Sequence, residues 1–179
     1  MDLLDHNRRM AANNRWSNDR LYRSVLALKP GEFEAERVSF FPSIKATLNH
    51  ILAVDHLYLD FIEEGGIGAD AYDLSETFDD PAALAGAQAV SDLRLITYCQ
   101  RISVSDLDRR VATDRREDGV IPERIGDILA HLFLHQIHHR GQVHAMLSGT
   151  SVKPPQLDEF LLDYDIKLRK DEVARLGLD

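Results

Sequence analysis

The stretch His131-Leu132-Phe133-Leu134-His135-Gln136-Ile137-His138-His139 holds four of the chain's eight histidines within nine residues. Spacing carries more information here than number. Ile128, Leu132, His135, His139, Gln142 and Met146 recur at alternating steps of four and three, the inward seam of a packed helix. His135 and His139 interrupt that seam one turn apart, where Cβ atoms lie about 5–6 Å from each other. Two imidazoles so placed can converge on one ion, with zinc–nitrogen bonds of about 2.0–2.1 Å.

An earlier segment repeats the device. Ser43, Thr47, His50, Val54, Leu57 and Phe61 follow the same steps, with His50 on the seam. A bundle builds a core site from side chains on facing helices, so His50 is the candidate third ligand. A lone histidine on an apolar seam is more often a hydrogen-bonded core residue. A pair at four-residue spacing, joined by a third on another helix, shifts the balance toward metal. Three neutral imidazoles with further positions open describe a catalytic type of centre rather than a closed structural one. His131 and His138 lie toward one edge of the same helix, and His6, His56 and His144 are assigned to the surface.

Working outward, residues 3–28 form a first helix, with Leu4, Ala11, Asn14, Asn18, Leu21, Val25 and Leu28 on one face. Lys29-Pro30-Gly31 stops it. Pro42 suits the first turn of a second helix that runs to about Glu64. The following residues, to about Asp80, read as a loop. Asp80-Pro81 starts a third helix, reaching about Ile102, with Leu84, Val90, Leu93 and Ile96 as its apolar positions. Asp118-Gly119 is a turn signal, compatible with two short strands. The fourth helix spans about Pro122 to Ser148, before Gly149. An amphipathic segment from Asp158 to about Arg175 closes the chain. Long helices without long strands give an all-α four-helix bundle, a single domain over residues 1–179 with a short extra C-terminal helix.

Composition narrows the function. The 179 residues are 44% hydrophobic and 28% charged, and 30 acidic against 21 basic residues give a net charge of -9. That balance argues against nucleic acid as a partner, which requires a clustered positive surface. No apolar run approaches the roughly 20 residues that span a bilayer, so no membrane association is expected. The N-terminus lacks the apolar core of a signal peptide, and a cytoplasmic location is expected. A single cysteine, Cys99, excludes an internal disulfide and a Cys-x-x-Cys zinc site; it reads as a buried structural thiol. Gln136 stands where a His-Glu-x-x-His protease carries its general base. No histidine has a glutamate three residues before it, which excludes the di-iron bundle motif. Asp55 and Asp127 are the carboxylates that could assist a hydrolytic reaction.

The segment His135-Gln136-Ile137-His138-His139-Arg140-Gly141-Gln142 closely resembles the signature of the DinB-like (damage-inducible DinB, or YfiT-like) metalloenzyme family. Leu48-Asn49-His50-Ile51-Leu52-Ala53-Val54-Asp55-His56 is similar to that family's other motif. Asn14-Arg15-Trp16-Ser17-Asn18 and Pro155-Gln156-Leu157-Asp158-Glu159-Phe160 also resemble recurring family features. The resemblance implies an up-down-down-up bundle, a homodimer, and one divalent metal ion, zinc or nickel foremost, on His50, His135 and His139. It implies further that Arg140 and Gln142 support the site: Gln142 by reaching a partner of the ligands, Arg140 by fixing the bundle's edge through a carboxylate. Gly141 is expected where another backbone approaches the fourth helix, since glycine otherwise costs such a helix about 1 kcal/mol.

Relatives of this kind include transferases that use low-molecular-weight thiols, so the expected partner is a small-molecule substrate together with such a thiol. The leading expectation is a metal-dependent thiol S-transferase acting on small electrophiles. The alternatives are a metal-dependent hydrolase and a non-catalytic metal-binding bundle.

Overall fold

The structure, a computed structural model, describes residues 2–178. Helix α1 (Leu3–Val25) is capped by Asp2, whose carboxylate accepts the Asp5 N–H at 2.7 Å. It ends three residues earlier than expected, because Ala27 and Leu28 bond back to Ser24 and Val25 in tight i−3 turns. Helix α2 (Ile44–Glu63) begins at Ser43, whose hydroxyl accepts the Ala46 N–H at 3.0 Å. Pro42 therefore lies outside the helix rather than in its first turn, and its carbonyl accepts the Arg37 N–H instead. Beyond α2 the chain turns sharply around Asp60. Gly65 is required there: a Cβ would stand 2.2 Å from the Asp60 Oδ1 atom, and the same carboxylate accepts the Gly68 N–H.

The stretch expected to be loop contains a one-turn helix, α3 (Asp70–Asp73). Helix α4 (Pro81–Arg101) starts as expected, with the Asp80 carboxylate accepting from Ala82 and Ala83. Its buried face is not the expected one. Val90 and Leu93 are 68% and 47% exposed, while Leu84, Gln88, Ser91, Asp92, Leu95, Tyr98 and Cys99 point inward. The buried face is polar at its centre, which hides it from a reading based on apolar periodicity. After the short α5 (Val104–Asp108), strands β1 (Arg110–Asp114) and β2 (Val120–Arg124) pair antiparallel, with Ala112 opposite Pro122. Pro122 thus belongs to the hairpin, and helix α6 (Ile125–Leu147) starts three residues later than expected. Only the second half of the C-terminal segment is helical, as α7 (Ile166–Leu176).

Four long helices form the bundle, and cross-helix contacts fix their directions. Arg8 reaches the Cys99 carbonyl and Arg15 the Ala89 carbonyl, so α1 and α4 are antiparallel. Asp55 meets Gln88 and Glu63 meets Arg94, so α2 and α4 are parallel. His50 faces His135 and Tyr58 faces His131, so α2 and α6 are antiparallel. The topology is up-down-down-up. Helix α7 has no buried residue and is held by polar contacts: Glu172 accepts from Trp16 and Arg20, and Arg175 pairs with Asp19.

Two apolar clusters fill the bundle. One gathers Leu59, Cys99, Leu129 and Leu132; the other gathers Leu21, Leu48, Leu52, Leu84 and Leu147. Between them lies a polar layer drawn from all four helices. Arg140, only 4% exposed, donates to Asn14, to Asn18 at 3.1 Å and to Gln136 at 3.1 Å. Gln136 donates to Asp55, and Gln88 links Asp55 at 2.7 Å to Asp92 at 3.2 Å. Asn14 and Asn18 close the circuit by donating to Asp92. Arg140 therefore lies at the heart of the bundle, not at its edge as expected, and neutral amides stand between it and the carboxylates.

Two carboxylates share this layer with one cation. Burial, with the charge of Asp92 beside it, pushes the Asp55 carboxyl up to about 7; burial pushes Asp92 up to about 6. Each raised pKa means that the folded chain holds a proton the unfolded chain releases near 3.8. The resulting stabilisation is complete below that value and disappears as pH rises through the folded values. Removing the cation leaves the carboxylates buried without a counter-charge. Arg140→Ala is expected to lower the unfolding free energy by about 3–5 kcal/mol in urea titration. The double variant Arg140→Ala/Asp92→Asn should recover part of that loss. A loss equal in the single and double variants would contradict the charge argument.

Candidate metal centre

Helices α2 and α6 pack antiparallel, so one inward position on α2 faces two successive turns of α6. His50 takes that position. Its Nε2 atom lies 3.1 Å from the His135 Nε2 atom, and its ring centroid is 4.7 Å from that of His139. The His135 and His139 rings are 4.4 Å apart. One potential donor atom from each of the three residues falls within 4.8 Å of the others. Three imidazoles from two helices thus converge as the seam spacing predicted, and the group could hold a metal ion.

Burial keeps these rings neutral, the protonation state a ligand needs. Burial, then the neighbouring His139, lowers His50 to about 4. Burial and the surrounding histidines lower His135 to about 3. His139 is also lowered by burial, opposed by its hydrogen bond to Gln142.

The neighbours of the rings differ. The Gln142 Oε1 atom lies 2.8 Å from the His139 Nδ1 atom, so the amide carbonyl accepts the Nδ1 proton and leaves Nε2 free to ligate. The amide nitrogen of Gln142 is 3.1 Å from His138 Nε2. The His50 Nδ1 atom is 3.2 Å from the Tyr72 hydroxyl, which α3 brings over the site. The His135 Nδ1 atom is buried with no hydrogen-bond partner among the described residues. Phe41, from the connection before α2, covers one side, its ring 4.3 Å from His50 and 5.6 Å from His139. Neither Tyr72 nor Phe41 carries a signal in the sequence, since each is delivered by an irregular segment.

Other expected residues lie elsewhere. Arg140 serves the polar layer described above. Gly141 does not accept a neighbouring backbone: an added Cβ would meet nothing within 4 Å. Asp55 is committed to Gln88 and Gln136, and Asp127 is exposed beside Arg124, so neither faces the imidazoles. Gln136 is wholly buried and belongs to the polar layer, donating to Asp55 and accepting from Arg140. His131 flanks the centre, its ring 6.3 Å from that of His135. His56 and His144 are half-buried rather than surface residues, bonded to Ser75 and to the Pro155 carbonyl. Burial pushes the Cys99 thiol up to about 12, which leaves it no nucleophilic role. No helix among the described residues is long and apolar enough to cross a membrane.

An up-down-down-up bundle with three inward histidines on two facing helices defines a class of helical protein able to carry a metal in its core. The sequence profile of the DinB family matches residues 3–168, and the chain belongs to that family. It is 24% identical over 140 residues to Protein DinB of Bacillus subtilis (strain 168), an overlap of 75% of this chain and 80% of that one. The crystal structure of a DinB-like protein, YjoA, from Bacillus subtilis superposes with a TM-score of 0.60 at 17% identity. That overlap takes in 83% of this chain and 96% of the other, and it shows a shared fold.

Lowered imidazole pKa values mean that protons bind only in more acidic solution than free histidine requires. In metal-free protein, the ring resonances of His50 and His135 are expected to stay in the neutral form as pH falls through 6.5, with midpoints at about 4 and about 3. NMR titration of the histidine ring protons measures this directly. Midpoints at the ordinary value would mean that the rings face water.

Proposed function

We propose that His50, His135 and His139 hold one divalent metal ion, and that the protein is a metal-dependent thiol S-transferase acting on small electrophiles. The observation that carries this reading is the convergence of three neutral ring nitrogens within 4.8 Å, with no carboxylate in the group. Such a donor set fits a divalent ion of the zinc or nickel type and leaves coordination positions for small molecules. When bound, the ion supplies positive charge that favours the deprotonated form of a thiol at neutral pH.

The chain's residues supply positioning and exclusion of water. Gln142 holds His139 in the tautomer that presents Nε2, and Tyr72 restrains the His50 ring. Phe41 shields the His50 and His139 rings, an apolar wall that strengthens electrostatic interactions beside it. The thiol proton passes to solvent, and the sulfur forms a bond to the electrophilic carbon. The bond from that carbon to its leaving group breaks, and the leaving group departs with the electron pair. No protein base is needed, in keeping with the engagement of Asp55 in the core and of Gln136 at the position a zinc protease gives to glutamate.

His135→Ala is expected to lose most bound metal by elemental analysis while far-ultraviolet circular dichroism stays close to wild type. Zinc-loaded wild-type protein should consume an alkylating electrophile faster with a cellular thiol present, and the variant should not. Retained metal in the variant would mean that the ligands are others. Metal-loaded protein indifferent to glutathione, bacillithiol and mycothiol alike would exclude the transferase, and thiol-independent turnover would make it a hydrolase.

A further inference from the structure

Helix α7 is fastened to α1 along one edge. Glu172 accepts from Trp16 and Arg20, and Arg175 pairs with Asp19. An apolar edge of the same helix, with Ile166 and Val173 two turns apart, does not close against the bundle. It lines a cavity of about 480 Å³, whose other walls come from α1, α4 and the segment before α7. No residue of α7 is buried, and Ile166 remains 50% exposed. The volume falls in the range of small-molecule sites, about 300–1,000 Å³.

Two kinds of surface meet in this cavity. Ile96, Phe160, Ile166, Val173 and Leu178 give it an apolar lining, with Phe160 buried and Ile96 half-buried. Arg8, Arg9, Arg169 and Lys170 supply positive charge on a chain of net charge -9, and no aspartate or glutamate lines the cavity among the described residues. Arg8, Arg169 and Lys170 form no ion pair among those residues.

Main-chain carbonyls hold the guanidinium groups in place without neutralising them. Arg8 donates to the carbonyls of Cys99 at 3.3 Å and Gln100 at 3.4 Å. Arg9 donates to the Leu161 carbonyl at 2.7 Å, and Arg169 to the Leu162 carbonyl at 3.0 Å. The Arg169 guanidinium also stands 5.3 Å from the centre of the Phe160 ring. Guanidinium groups fixed in this way, with N–H donors to spare, are suited to a carboxylate or a phosphate.

We propose that this cavity binds an amphiphilic anion, a molecule with a carboxylate or phosphate head and an apolar tail. The head meets Arg8, Arg169 and Lys170. The tail covers Ile96, Phe160, Ile166 and Val173, apolar surface that α7 leaves open to water. A small anion alone would leave that surface wet, and a neutral apolar molecule would leave the cations without a counter-charge. None of His50, His135 and His139 lines the cavity, so the site does not rest on the proposed metal centre.

Calorimetric titration with octanoate, octyl phosphate, octanol and acetate separates the two halves of the ligand. Octanoate or octyl phosphate should bind at least about tenfold more tightly than octanol, which lacks the charge, and than acetate, which lacks the tail. Either result supports the site, and the tighter of the two anions identifies the head group. Amide chemical shifts should move within residues 8–12, 96–100 and 166–178. Arg169→Gln/Lys170→Gln should weaken octanoate binding by roughly tenfold and leave octanol binding unchanged, with the circular dichroism of wild type. Octanol or acetate matching both anions, octanoate binding unaltered in the double variant, shifts confined to other residues, or no binding at all overturns the proposal.

Discussion

The buried layer around Arg140 is the constraint on which the rest of the molecule depends. A guanidinium enclosed at the middle of a four-helix bundle is tolerable only when its donors are met and its charge is balanced nearby. Asn14 and Asn18 of α1, Asp55 of α2, Gln88 and Asp92 of α4 and Gln136 of α6 meet those needs together. Sliding any one helix by a turn would strand a charged or polar group in an apolar cluster. The layer therefore sets the register of all four helices at once, a specificity that the surrounding leucines and isoleucines do not impose.

That register positions the candidate site. Asp55 lies one turn and a residue beyond His50 on α2, and Gln136 and Arg140 immediately follow His135 and His139 on α6. Once Gln136 is bonded to Asp55, His50 has to stand opposite the two histidines of α6. The imidazoles thus sit on a rigid support, with separate apolar clusters on either side of the layer. Helix α6 serves both: one strip of it carries Gln136 and Arg140 to the polar layer, and the adjacent strip carries His135 and His139 to the three-histidine cluster.

Much of this was legible in the sequence. The histidine steps on two seams located all three convergent rings, because a core histidine at helical spacing leaves a clear mark against apolar neighbours. Asp80-Pro81 marked the start of α4, and Asp118-Gly119 the hairpin. The inward face of α4 was not legible: Gln88 and Asp92 are buried there, and exposed Val90 and Leu93 imitate a core face. A hint existed in α1, where Asn14 and Asn18 fall on the same helical face as Leu21 and Val25. Buried amides at such positions need partners, and a polar residue on each facing helix is where to look. Phe41 and Tyr72 depend on how irregular segments fold back over the bundle, which local periodicity does not record.

The proposed function requires three rings to share one ion. Anomalous X-ray scattering at the zinc edge, from crystals of the zinc-equilibrated protein, measures that most directly. The expected result is one strong peak within about 2.0–2.1 Å of a ring nitrogen of each of His50, His135 and His139. A peak bound by only one of these residues, a peak elsewhere in the molecule, or none at all would contradict it.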